Sequence, residues 1–197
     1  MKNFLALATF LIIILSSISK VHSIEADVFI QSTVNRAAKT LSSNFNKEER
    51  VEKLKDIARD TVDIDALGIY SLGVHKKNLT ENQLDKYKKV FTKYFLKSFS
   101  SRLAEYSNPE IEVDSKKVIN KNYTIVSSTL ASTESRPEVK IEWRVYTKDP
   151  NNLLIRDLII EGLSLARTQR EEFSSIIHSN DGKIEALFQN LSAFAAK

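Results

Sequence analysis

Apolar residues change their period twice along this chain. From residue 25 to about 60 they recur at helical spacing. Val28, Phe29, Val34, Ala37, Ala38 and Leu41 form one stripe, and Val51, Leu54, Ile57 and Ala58 a second beyond a break at Asn44 to Asn46, which predicts two amphipathic helices. Asp63-Ile64-Asp65 then opens a short helix with carboxylates at the end where its dipole favours them, and Gly73 helps to stop it. The best-marked element runs from about Thr80 to Tyr106. Thr80 and Gln83 form a capping box, and Leu79 is placed to staple onto Leu84. Leu84, Tyr87, Phe91, Tyr94, Phe95, Phe99 and Leu103 then share one helix face, five of them aromatic. Lys86, Lys89, Lys93 and Lys97 form a basic row on the opposite side. Its two readings are an ordinary solvated face and a docking surface for an acidic partner or anionic lipid.

From residue 110 the period is two. Ile111 and Val113 alternate with acidic residues, Tyr123 to Leu130 is rich in β-formers, and Val139, Ile141, Trp143 and Val145 alternate with Lys140, Glu142, Arg144 and Tyr146. A further run, Leu153 to Leu163, is apolar on both faces except at Arg156, Asp157 and Glu161, which read as facing solvent at an edge. Turn residues separate the runs at Asn120-Lys121-Asn122, Ser135-Arg136-Pro137 and Asp149-Pro150-Asn151-Asn152. Connections this short predict an antiparallel meander. Helical spacing returns with Phe173, Ile176 and Ile177, breaks at Asp181-Gly182, and resumes with Ile184, Leu187, Phe188, Leu191 and Phe194. Helices, strands, then helices predict an α+β fold: a four-stranded antiparallel twisted sheet wrapped on the long aromatic-faced helix, with N- and C-terminal helices closing the remaining openings. Its interior is open to two readings, a filled core or an apolar pocket.

The first 23 residues have a different character. Lys2 precedes an apolar run from Phe4 to Leu15, too short for a bilayer span, and Val21-His22-Ser23 suits signal peptidase. The expected organisation is a signal peptide at 1–23 and one domain at 24–197. Cleavage removes Lys2 and Lys20, which leaves 27 basic against 25 acidic side chains and a formal charge of +2. That balance offers no case for nucleic acid as a partner. The chain has no cysteine, so disulfide frameworks, thiolate metal sites and lipidated-cysteine anchors are excluded. Four dispersed glycines leave no phosphate-binding loop. His75 and His178 are far apart in sequence and lack metal-ligand spacing, so no metal site is expected.

An enzyme on a rolled sheet, a small hydrolase or isomerase, would have to draw on Asp157, Glu161, His75 and Tyr146, whose spacing implies no convergence; there is no catalytic triad signature. A pure interaction module is a third possibility. The aromatic face and the apolar positions of the third strand run exceed what pins one helix to one sheet, as a lining for acyl chains would.

Ordered motifs add a family resemblance. Val62-Asp63-Ile64-Asp65-Ala66-Leu67 through Leu79-Thr80-Glu81-Asn82-Gln83-Leu84 to Phe91 resembles the "T-P-E-Q-R-x-x-F-x-x-x-F" helix start of the MlaC family, the toluene-tolerance auxiliary proteins. Arg156-Asp157-Leu158-Ile159-Ile160-Glu161-Gly162-Leu163-Ser164-Leu165 is similar to its "Y-D-V-x-V-E-G-V-S-L" segment, Arg170-x-x-Phe173 to its "R-x-Q-F", and Asp181-Gly182-x-Ile184-x-x-Leu187 to its "D-G-L-x-x-L". The resemblance spans nearly all of the chain after residue 23. Departures are Leu153 and Arg156, where the family often has a Trp and a Tyr, and Gln169, where a Tyr precedes its Arg.

The resemblance implies a periplasmic carrier, not an enzyme, that needs no cofactor and holds a phospholipid as cargo. It would shuttle lipid between an outer-membrane lipoprotein complex and an inner-membrane ABC transporter, maintaining outer-membrane asymmetry. Another hydrophobic cargo, such as a hopanoid, is the alternative within this class. The expected lining comprises Phe91, Tyr94, Phe95, Phe99 and Leu103 from the long helix, Val139, Ile141, Trp143 and Val145 from the sheet, and Leu67 and Tyr70 from the short helix. The headgroup would then sit at the mouth in solvent, with little discrimination among headgroups.

Overall fold

The structure is a computed structural model that describes residues 25–196, so the signal-peptide segment lies outside the described residues. Two helices open it, α1 (Ala26–Ser42) and α2 (Lys47–Thr61). The break between them ends at Asn46, whose side chain accepts from the Glu49 N–H while Glu49 reaches back to the Asn46 N–H, a second capping box. α3 (Ile64–Leu72) starts at Asp63, which accepts from the Ala66 N–H, and ends at Gly73, where φ 56 and ψ −126 suit only glycine. A 3₁₀ turn (Gly73–Asn78) leads to α4 (Glu81–Leu103), capped reciprocally by Thr80 and Gln83 as the spacing predicts. Among the described residues, no helix is long and apolar enough to cross a membrane.

The sheet is an antiparallel meander, β1 (Ile111–Asn120), β2 (Tyr123–Leu130), β3 (Val139–Tyr146), β4 (Leu154–Ile160) and β5 (Leu163–Ser164), in spatial order one to five. The expected four strands are thus five. The run from Leu153 to Leu163 does not continue as one strand, because Glu161 and Gly162 both take positive φ and fold Leu163 back onto Ile160. Two such residues make the tight hairpin turn whose twist matches its strands. β4 carries a further irregularity. Arg144 pairs with Asp157 and Val145 with Ile155, so Arg156 is the extra residue of a β-bulge. Beyond this edge the α2–α3 link adds itself to the sheet, with the Asp63 N–H donating to the Ile155 carbonyl. α5 (Leu165–His178) and α6 (Ile184–Ala196) complete the chain.

Three apolar clusters hold these elements together. The inner sheet face, with Val126, Ile141, Trp143, Val145 and Ile155, packs on Ala26, Ile30 and Val34 of α1 and on Leu96 of α4. The sheet therefore covers α1 as well as the aromatic helix. A second cluster is wholly helical: Leu72 of α3, Tyr87 and Phe91 of α4, Phe173 and Ile177 of α5, and Leu187, Phe188 and Leu191 of α6. The third joins α1 and α2 to the end of α4 through Leu41, Leu54, Ile57 and Ala104. Helix α4 is thus common to all three.

Candidate functional site

The sheet cluster and the helical cluster do not merge cleanly. Ile64, Leu67 and Phe95 pack against both, and where the two meet there is a cavity of about 200 Å³. Phe91, Tyr94, Phe95 and Phe99 enter it from α4, Leu67 from α3, Ile155 and Leu158 from β4, and Leu165 and Ala166 from the start of α5. Successive turns of α4 supply a ladder of rings, with Tyr87, Phe91, Phe95 and Phe99 spaced 5.6, 6.1 and 5.5 Å apart, centroid to centroid. Spacing of i, i+4 on a helix produces such a ladder. The upper rungs are locked in the helical core, whereas Phe95 and Phe99 are only half-buried because the cavity, not packed protein, faces them.

Polar groups gather at the rim. The Tyr94 hydroxyl donates to Gln169 Oε1 at 2.9 Å and ties α4 to α5 across the cavity. The Tyr87 hydroxyl, deeper in, donates to the Gly68 carbonyl at 3.0 Å. Burial pushes both hydroxyls up from the ordinary tyrosine value, so both stay neutral donors. Gly68 permits this close approach of α3 to α4: a Cβ there would lie 2.7 Å from Phe91 Cδ1. Because the Phe91 ring is buried and cannot swing away, Gly68→Ala is expected to cost about 1–3 kcal/mol of stability by overpacking. A denaturation curve checks it.

Asp157 sets the start of α5. It is buried, accepting from the Ala166 N–H at 3.0 Å and from the Ser164 hydroxyl at 2.6 Å, while Ser164 in turn caps the Arg167 N–H. This corrects the expected solvent-facing edge, since the bulge at Arg156 and the cover supplied by α5 bury the carboxylate. Asp157→Ala would leave the Ala166 N–H buried without an acceptor. A loss of about 1–3 kcal/mol is expected, readable as a fall in melting temperature.

Five of the eleven expected lining residues meet at the cavity: Leu67, Phe91, Tyr94, Phe95 and Phe99. Leu103 packs instead against the α1–α2 cluster, and Val139, Ile141, Trp143 and Val145 belong to the inner sheet core. There Trp143 Nε1 donates to Ser128 Oγ at 2.8 Å, which fixes the indole within the core. The sheet wall of the cavity is β4, and α5 closes it, two elements whose cavity residues sequence pattern did not single out. Tyr70 lines a second cavity, of about 460 Å³, which shares Arg156, Asp157 and Ala166 with the first. The four residues considered for catalysis have separate settings. Asp157 caps α5, Glu161 accepts from the Lys140 N–H, His75 lies 3.4 Å from Ser174 Oγ, and Tyr146 lies beneath the Arg156 guanidinium.

No curated protein matches the sequence. Among solved structures, a phospholipid-binding protein from Ralstonia solanacearum, determined in complex with a phospholipid, is similar with a TM-score of 0.74 over 88% of this chain and 98% of that one. At 20% identity the likeness is one of fold. The family model described as MlaC protein matches residues 30–193, the greater part of the chain, and the chain belongs to that family.

Proposed function

We propose that this chain binds a phospholipid by its acyl chains and carries it through an aqueous compartment. The observation that supports this most is the cavity between the sheet core and the helical core, lined by half-buried rings of α4. The Ralstonia neighbour, with the same fold and a phospholipid in its complex, agrees with that reading. The physics gives such a carrier a purpose. At about 0.8 kcal/mol per buried CH₂, a sixteen-carbon tail exposed to water costs roughly 12 kcal/mol, and two tails about twice that. Unassisted escape of a lipid from a bilayer is therefore negligible. A cavity resembling the bilayer interior makes transfer nearly isoenergetic without the tails ever meeting water.

Family membership supports a finer reading. Exported by residues 1–23 into the periplasm, the carrier would exchange lipid with an outer-membrane lipoprotein complex on one side and an inner-membrane ABC transporter on the other. It needs no nucleotide of its own, in keeping with the lack of a phosphate loop in the sequence. Direction then comes from the relative affinities of its partners and from the transporter's hydrolysis.

The test is transfer across a protein-permeable, vesicle-excluding filter. Donor vesicles carry labelled phospholipid, and acceptor vesicles lie on the far side. Label is expected in the acceptors only when the chain, lacking residues 1–23, is present. Label that fails to cross in its presence contradicts the proposal.

A further inference from the structure

Next to the aromatic cavity is a second one, in which two arginines stand among apolar and aromatic residues. The larger cavity lies over the outer face of the sheet, where register places Ile125, Arg144 and Asp157 in one row and Tyr123 beside Tyr146 in the next. Two guanidinium groups line it. Arg156, the bulge residue, stacks 3.5 Å over the Tyr146 ring. Its Nε donates to Asp63 Oδ2 at 2.8 Å, its Nη2 is paired in charge with the same oxygen at 2.7 Å, and its Nη1 donates to the Tyr123 hydroxyl oxygen at 2.9 Å. A guanidinium has five N–H groups, so one on each terminal nitrogen remains. Arg144 is less committed. Its nearest carboxylate is Asp157 at 3.8 Å, outside hydrogen-bonding range, and both Asp157 oxygens are already taken by Ser164 and Ala166. The Tyr123 hydroxyl, which accepts from Arg156, keeps its own proton to donate.

These groups form a set of unused donors held in place from behind, beside one carboxylate, Asp157, whose two oxygens are already occupied. Asp63 anchors Arg156 through one oxygen and caps α3 with the other, and the Tyr146 ring fixes the plane of the guanidinium. Fork-shaped donors of this kind suit the paired oxygens of a phosphate. We propose that the Arg144–Arg156 cavity is a phosphate site, with Tyr123 as an additional donor. In a phospholipid the phosphodiester would occupy it while the tails run past the shared residues Arg156, Asp157 and Ala166 into the aromatic cavity. This lipid form of the site rests on the carrier reading above; the phosphate chemistry itself does not. It replaces the expectation of a solvent-exposed headgroup with selection for a phosphate over a neutral glycerolipid.

The experiment has two arms. In the first, the chain without residues 1–23 is equilibrated with vesicles containing equal amounts of phosphatidylglycerol and diacylglycerol of identical chains, and bound lipid is extracted and weighed. In the second, inorganic phosphate is titrated while arginine Nε–H resonances are followed by NMR. The variant is Arg144→Gln, chosen because the side chain is about half exposed and its one charged neighbour, Asp157 at 3.8 Å, keeps both of its hydrogen bonds without it, with Lys140→Gln on the same exposed face of β3 as control. The wild type is expected to favour phosphatidylglycerol about tenfold or more, the worth of a charge-assisted hydrogen bond, with Arg144→Gln erasing most of the preference and Lys140→Gln none. Lipid binding without headgroup preference, or a preference that survives Arg144→Gln, overturns the phosphate site and leaves the carrier standing. Phosphate-dependent shifts lost in Arg144→Gln, with no lipid bound at all, support the site as one for free phosphate and overturn the carrier. Neither lipid nor phosphate bound overturns both.

Discussion

Phe99→Asp abolishes lipid retention in a chain that still folds: this is the expected result with the largest effect. Phe99 lines the aromatic cavity, stacks on Phe95 with centroids 5.5 Å apart, and is only half-buried. Its packing share is thus a fraction of the roughly 3–5 kcal/mol that a fully buried Phe contributes, and water in the cavity can solvate the new carboxylate. With acyl chains in place that water is gone. An unpaired charge against hydrocarbon then costs several kcal/mol, enough to weaken lipid binding by at least about a hundredfold. Circular dichroism verifies the fold, and extraction measures the lipid. A folded Phe99→Asp chain that carries lipid at the wild-type level removes Phe99 from the lining.

The second large effect concerns motion. A cavity of about 200 Å³ is smaller than the roughly 300–1,000 Å³ of drug-sized ligand sites, so two acyl chains enter only if its walls part. One wall able to part is the N-terminal half of α5, since the helical core anchors α5 mainly through Phe173 and Ile177, farther along the helix. It closes the cavity across from α4, to which the Tyr94–Gln169 hydrogen bond ties it at the rim. Since the sequence has no cysteine, Tyr94→Cys with Gln169→Cys introduces one defined thiol pair. Joined by a short bifunctional methanethiosulfonate reagent, the pair holds α5 near its resting position. Lipid uptake by the bridged protein is expected to fall at least about tenfold below that of the same protein after reduction, because the loading-competent form is no longer populated. Equal uptake in the two states contradicts the need for opening.

Much of this was legible in the chain itself. The capping box at Thr80 and Gln83, the break at Asn44 to Asn46, the aromatic row of α4 and the alternation of β3 each rest on a local device or a period, and each is found where the spacing puts it. The cavity wall was only partly legible. Alternation in β3 says that Ile141, Trp143 and Val145 face inward, and they do, but period cannot tell a packed interior from a cavity wall. The choice between β3 and β4 depends on where α3 and α5 meet the sheet edge, a tertiary matter. Leu158 and Ile155 gave no sign of it, being two among many apolar residues of an apolar run. The bulge was hidden for the same reason, as register is a property of two strands and Arg156 shows its misfit only against Val145. What did stand out was Arg156 as a departure from the family pattern, and it is one of the three residues that border both cavities. The basic row of α4 has one specific contact, Lys86 above the Phe188 ring at 5.7 Å; Lys89 and Lys93 are exposed.

The most direct measurement is native mass spectrometry of the chain without residues 1–23, purified without detergent from a cell that exports it. A carrier emerges with added mass equal to one diacyl phospholipid, released by organic extraction and lost in Phe99→Asp. A bare polypeptide mass, with no lipid in the extract and none taken up from vesicles, contradicts phospholipid binding.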